Sequence, residues 1–169
     1  LAAAINVTNA GTYTVTVTNA QGCTATAQAT VTVQNNLTPS ITGTPNFCQG
    51  GSSVLNAGAG FATYLWSTTA TSQTITVNSA GTYTVTVSSA SGCTGTASIN
   101  ITVSPLPTAA ISGNNALCAG AATTLIASGG GTYLWNDGST SPSINVSPAG
   151  SSVYAVTVTN AQGCTATAS

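Results

Sequence analysis

Cysteine is the residue type in this chain whose spacing points most directly to chemistry. Cys23, Cys93 and Cys164 stand 70 and 71 residues apart, and Cys48 and Cys118 stand 70 apart. Cysteines oxidise in pairs to disulfides, or hold metal ions as thiolates. A structural zinc takes four thiolate or imidazole ligands, whereas this chain has no His and two cysteines per period, so a metal role is disfavoured. The spacing suggests one disulfide in each copy, Cys48 with Cys93 and Cys118 with Cys164, and for Cys23 a partner upstream of Leu1. A free thiol packed into a core is the alternative. A unit of this size has a small core and gains from a staple, which is worth about 4 kcal/mol for a loop of this length. The disulfide reading places the chain in an oxidising, extracellular setting, secreted or at the cell surface.

Other chemistry is scarce. There is no Lys, Arg or His, and the single acidic residue is Asp137, giving a formal charge of −1. Hydroxyls are plentiful, but a Ser, Thr or Tyr nucleophile needs a neighbouring base, and acid–base work needs His, Lys or paired carboxylates. An enzyme is therefore not expected, nor is a cofactor. Nucleic acid is excluded as a partner because phosphate binding rests on Lys and Arg, and attraction to anionic lipid fails for the same reason. Calcium sites gather several carboxylates, and one Asp does not suffice. Asp137 reads as a turn residue within Asn136-Asp137-Gly138. No apolar stretch approaches the 18 residues of a membrane span, so direct membrane insertion is not expected.

The elements that must position the cysteines come from one repeated unit. VTVTNAQGCTATA occurs at 15–27 and again at 156–168, and 85–97 reads VTVSSASGCTGTA. Phe47-Cys48-Gln49-Gly50 returns as Leu117-Cys118-Ala119-Gly120, and Tyr64-Leu65-Trp66 as Tyr133-Leu134-Trp135. The expected organisation is the C-terminal part of one repeat at 1–34, a complete repeat at 35–104, and at 105–169 a repeat lacking its last strand. The first fragment offers about three strands where the last copy lacks one, so head-to-tail completion leaves a surplus. The 169 residues read as a window on a longer array.

Helical periodicity is missing, and period-2 alternation recurs, as in Tyr83, Val85 and Val87 between Thr82, Thr84 and Thr86. In the complete repeat, strands are expected near 40–43, 54–57, 63–66, 74–77, 82–88 and 96–103, separated by Gly, Ser, Asn and Pro clusters. Such short alternating strands predict an all-β fold of tandem Ig-like antiparallel β-sandwiches. The expected core is Leu55, Leu65 or Trp66, Ile75, Val77, Tyr83, Val85, Val87, Ile99, Ile101 and Val103. Trp66 and Trp135 read as core residues; a sugar-stacking role needs an exposed ring face.

The ordered set Pro39, Ile41, Gly43, Cys48, Gly50, Leu55, Tyr64, Trp66, Ile75, Val77, Gly81, Tyr83, Val85, Val87, Gly92, Cys93, Ile101 and Val103 carries a resemblance. It resembles the Ig-like and PKD-like repeats of very long Bacteroidota cell-surface and secreted proteins, including adhesins associated with gliding motility. Tyr133 to Gly138 is similar to the Tyr-x-Trp-Asp-x-Gly stretch of PKD-type repeats. The resemblance implies export, by the type IX route, and a role in surface adhesion, extracellular fibres or spacing.

Two functions compete. In the first the chain is a structural extracellular protein, part of a surface fibre or filament. The 1% charged composition supplies little electrostatic repulsion between molecules and favours self-association into fibres. The prolines of Val103-Ser104-Pro105-Leu106-Pro107 stiffen one boundary. In the second the chain is a cell-surface adhesin whose repeats act as a stalk or bind surface glycans and other cells through their loops. That reading expects exposed aromatics, and the loops are mostly Gly, Ala, Ser, Thr and Asn.

Overall fold

The computed structural model describes residues 4–34 and 36–169; Leu1 and the boundary position Asn35 lie outside the described residues. Among the described residues all regular structure is β. The strands are β1 Gly11–Thr18, β2 Thr24–Val31, β3 Asn46–Cys48, β4 Ser53–Asn56, β5 Thr63–Trp66, β6 Thr74–Val77, β7 Gly81–Ser88, β8 Thr94–Ser104, β9 Ala110–Ser112, β10 Thr123–Ser128, β11 Thr132–Trp135, β12 Ser143–Val146, β13 Val156–Thr159 and β14 Thr165–Ala168.

Two β-sandwiches follow a lone hairpin. In the hairpin, β1 and β2 pair antiparallel from Gly11↔Val31 to Thr18↔Thr24 and join no other strand. The first sandwich faces a four-stranded sheet, ordered β3-β8-β7-β5, with the β4-β6 pair. The second faces β12-β10-β9 with β11-β13-β14. Alternation decides which side chains meet between the sheets, because successive residues of a strand point to opposite faces. Leu55, Ala57, Trp66, Ile75, Val77, Val85, Val87 and Ile101 form one buried cluster. Leu125, Ala127, Trp135, Ile144, Val156 and Val158 form another.

Most of the expected core lies inside. Between Leu65 and Trp66 the strand turns Trp66 inward at 2% exposure, and Leu65 lies outward, 54% exposed. Burying each indole requires a partner for its N–H. Trp66 Nε1 donates to Ser72 O and Trp135 Nε1 to Ser141 O, both at 2.9 Å. Tyr83 and Ile99 pack only partly buried against the cluster, and Val103 is half-buried at the sheet end. Tyr83 Oη donates to Ser79 O at 3.0 Å, a link between strand and preceding turn that Tyr13 Oη repeats with Asn9 O at 3.0 Å.

Two strand expectations need correction. Residues 40–43 contribute only the single bridge Thr42↔Asn56, although the corresponding 110–112 segment does form β9. In addition, β3 forms where no strand is expected, and it runs parallel to β8 with Asn46↔Thr102, Phe47↔Val103 and Cys48↔Ser104. Three residues are too short to display alternation, so their pairing is set by the neighbouring strand.

Candidate functional site

The complete middle copy carries one cysteine at either end of its longest strand, β8. Cys48 ends β3, and the parallel register sets it beside Ser104 at the C-terminal end of β8. Gln49 N donates to Ser104 O at 2.8 Å and Thr102 N to Pro45 O at 2.9 Å, so the Cys48 backbone is held from both sides. The next turn closes with Gly51 N donating to Cys48 O at 2.8 Å, and Gly50 at φ +86° makes it sterically easy. Cys93 lies at the other end, in the turn from β7 to β8 immediately before Thr94.

This geometry corrects the pairing expected within copies. The 11 residues of β8 separate Cys48 from Cys93 by about 33 Å at the usual rise per residue, and a disulfide requires Cα atoms within roughly 7 Å. Cys48 is instead bonded to Cys164, 116 residues later, with Cα atoms 5.5 Å apart. Of the four cysteines assigned to disulfides within copies, Cys48 and Cys164 are thus oxidised, but to each other. Cys93 and Cys118 are free thiols, as is Cys23. The bond ties the first sandwich to the second.

The turn that delivers Cys164 is built by Asn160. Its Oδ1 accepts from Gln162 N at 3.1 Å and from Cys164 N at 2.9 Å, while Gly163 N donates to Asn160 O at 3.0 Å. Asn160 Nδ2 then reaches across the boundary and donates to Pro105 O at 2.9 Å. One side chain thereby shapes its own turn and fixes that turn to the segment leaving β8. Cys164 is buried there, 1% exposed, with its sulfur 4.0 Å from Ser104 O. Asn160 carries no sequence signal by itself; its recurrence as Asn19 in the first Asn-Ala-Gln-Gly-Cys turn is the pattern that marks it.

The same turn stands at the other two copies. Asn19 Oδ1 accepts from Gln21 N at 3.0 Å and Cys23 N at 2.9 Å; in the middle copy Ser89 Oγ accepts from Cys93 N at 3.1 Å. In all three the cysteine carbonyl receives the N–H four residues earlier, at 2.9 Å. The turn therefore takes its shape whether or not its cysteine is oxidised. Cys118 lies in no strand but repeats the turn that follows Cys48, with Ala121 N donating to its carbonyl at 3.0 Å and Gly120 at φ +77°.

The second sandwich is open beside Cys118. A groove of about 610 Å³ is lined by residues including Ile111, Leu117, Leu125, Val146, Tyr154 and Ser169. In the middle copy the corresponding place holds the second half of β8, whose Ile101 is 1% exposed. Asp137 sits in the expected turn, its Oδ1 accepting from Ser139 N at 2.9 Å. Among the described residues no three His, Cys, Asp or Glu side chains gather into a metal-binding group, and no helix is long and apolar enough to cross a membrane.

A family model described as "Protein of unknown function (DUF642)" matches residues 39–147. No curated protein matches the chain. Among solved structures, murine CEACAM1b is 11% identical with a TM-score of 0.36, over 73% of this chain and 92% of its own. The Bacteroides ovatus protein SGBP-B of a mixed-linkage glucan utilisation locus, solved in complex with a mixed-linkage heptasaccharide, is 20% identical with a TM-score of 0.26, over 92% of this chain and 48% of its own. The chain thus spans about half the length of that second protein.

Proposed function

The chain belongs to DUF642, a family of proteins of unknown function, and with no activity to inherit from it we propose that this member is a structural, non-catalytic extracellular protein whose sandwiches stand in series in a surface fibre or filament. The observation that carries the reading is the Cys48–Cys164 disulfide, which joins successive copies where the expected bonds would have stapled each one singly. A bond inside one unit stabilises that unit; a bond between units transmits tension from one to the next. A disulfide of this kind also supports an oxidising compartment outside the cytosol.

The surface supports the same reading. With one carboxylate and no basic side chain, neighbouring molecules meet with little electrostatic repulsion, and the outward strand faces are rich in Thr hydroxyls that hydrogen-bond without regard to ionic strength. The tryptophans supply no platform for a sugar ring, both being at least 98% buried.

Electron cryo-microscopy of the native extracellular material tests the proposal. Ordered filaments with an axial period of one or two sandwiches are expected. Isolated flexible beads on cell-attached threads would overturn it in favour of an adhesin stalk, whose glycan or cellular ligand would then be sought at its tip.

A further inference from the structure

We propose that Cys118, Cys93 and Cys23 are the unfilled halves of further disulfides of the Cys48–Cys164 kind, so that each copy is bonded to the copy before it and to the copy after it. The partner of each is a cysteine of another copy of this same repeat, carried either in the same polypeptide or in a second molecule. The inference does not depend on whether the assembly is a fibre or an adhesin stalk.

The argument rests on which cysteines are oxidised. The chain contains two cysteine settings. In the strand-end setting, so called after Cys48 at the end of β3, the carbonyl of Cys48 or Cys118 accepts the N–H three residues later across a left-handed glycine; the turn setting is that of Cys23, Cys93 and Cys164. In the bond observed, the strand-end cysteine of one copy joins the turn cysteine of the following copy. Applied throughout, that rule pairs Cys118 with a turn cysteine in the copy after it, and Cys93 with a strand-end cysteine in the copy before it. Cys23 pairs in the same way with the copy before its own. None of these partners is among the five cysteines of the chain, and these three are the free thiols. Pairing within copies would instead have oxidised Cys93 and Cys118 and left only Cys23.

Position in the fold agrees. The turn cysteine marks the end of each copy that receives the incoming chain: Gly95, two residues after Cys93, lies against Leu37 and Pro39 of the segment arriving from the first copy, as Asn160 holds Pro105 of the next such segment. The strand-end cysteine marks the end from which the chain leaves, beside Ser104. In the first copy, Cys23 sits at the Thr18↔Thr24 end of its hairpin, away from Val31 and the chain leaving it. Copies placed head to tail therefore bring a strand-end cysteine against a turn cysteine at every junction.

The bond forms by exchange with an external disulfide, either a small-molecule disulfide or that of a thiol–disulfide oxidoreductase. One protein thiolate attacks that disulfide, forming a mixed disulfide and releasing one thiolate. The second protein thiolate attacks the protein sulfur of the mixed disulfide, releasing the other. The two protein thiols lose two electrons to the external disulfide, and their two protons end on the two thiols released.

The test is disulfide mapping of the protein isolated from its native source. Free thiols are alkylated before reduction, and because the chain has no Lys or Arg, cleavage uses chymotrypsin and elastase in place of trypsin. The expected result is the Leu117-Cys118 peptide joined to a peptide bearing a Gly-Cys-Thr turn, and the Cys93 peptide joined to one bearing a strand-end cysteine, with under a tenth of either alkylated. Unchanged mobility on a non-reducing gel then assigns the partner to the same polypeptide, and a ladder that collapses on reduction assigns it to a second molecule. Recovery of Cys93 and Cys118 as alkylated thiols, or as Cys48–Cys93 and Cys118–Cys164, would overturn the proposal. Filaments with free Cys118 would sink this inference and leave the fibre standing; fully paired cysteines on isolated threads would do the reverse.

Discussion

Val17 and Val158 hold the same place in an identical thirteen-residue sequence, yet Val17 is 60% exposed and Val158 is fully buried. Their strands have the same hairpin register, so the difference comes from what lies across from them. β13 faces a second sheet carrying Leu125, Ala127 and Ile144, whereas β1 has only β2. Val158→Ala should therefore lower stability by about 1–3 kcal/mol, as buried truncations do. Val17→Ala should stay within about 0.5 kcal/mol. Denaturant unfolding followed by tryptophan emission distinguishes the two.

The loop closed by the Cys48–Cys164 bond runs from the end of β3 through β13 and so takes in most of both sandwiches. Closing a loop of this length restricts the unfolded chain by about 5 kcal/mol in the chain-entropy model, so reduction should lower the denaturant midpoint without altering the β signature of the circular dichroism spectrum. Under force the effect is larger to the eye. Pulled from its ends in an optical trap, the oxidised chain should extend only outside the loop, and a reductant should release roughly 400 Å of further contour length. The Cys48→Ser variant should show that length from the start.

Gly131 and Gly95 have the least room for a methyl group. A Cβ on Gly131 would run into the carbonyl of Thr159, and one on Gly95 into the carbonyl of Leu37 and into Pro39 Cδ. Both obstacles include backbone, which yields poorly. Gly131→Ala should destabilise the second sandwich by about 1–3 kcal/mol through overpacking. Gly95→Ala should displace the 37–39 segment and leave the first core intact, read as faster amide exchange near Thr38 with an unchanged Trp66 signal.

Charge contributes almost nothing to this fold. There is no basic side chain to pair with Asp137, which is exposed and bonded only within its turn. Screening has no side-chain ion pair to act upon. The midpoint of thermal unfolding should shift by less than about 2 °C between 0.01 and 0.3 M sodium chloride, measured by calorimetry.

The alternation of Tyr83, Val85 and Val87 gives away β7, because period 2 with one apolar face has a single physical meaning. Trp66 is legible for a similar reason: its bulk suits a sandwich interior once Ser72 O is there to receive its N–H. The disulfide is not legible in the same way. Cys48 and Cys93 are neighbours in the list of cysteines, and nothing in their spacing discloses that β8 holds them apart at its two ends. That fact belongs to the parallel β3–β8 register, which three residues are too few to announce. Ala57, fully buried, was also hidden, since alanine is at home both inside and outside a sheet.

A peptide bond broken anywhere between Cys48 and Cys164 does not separate the chain into two molecules, because the pieces stay attached through the sulfurs. An extracellular protein is exposed to proteases it does not choose, and the loops that they cut first, such as 89–92 and 149–153, lie within that span. Damage that would sever an ordinary string of domains leaves this one a nicked but continuous strand, able to keep its length until a reductant arrives.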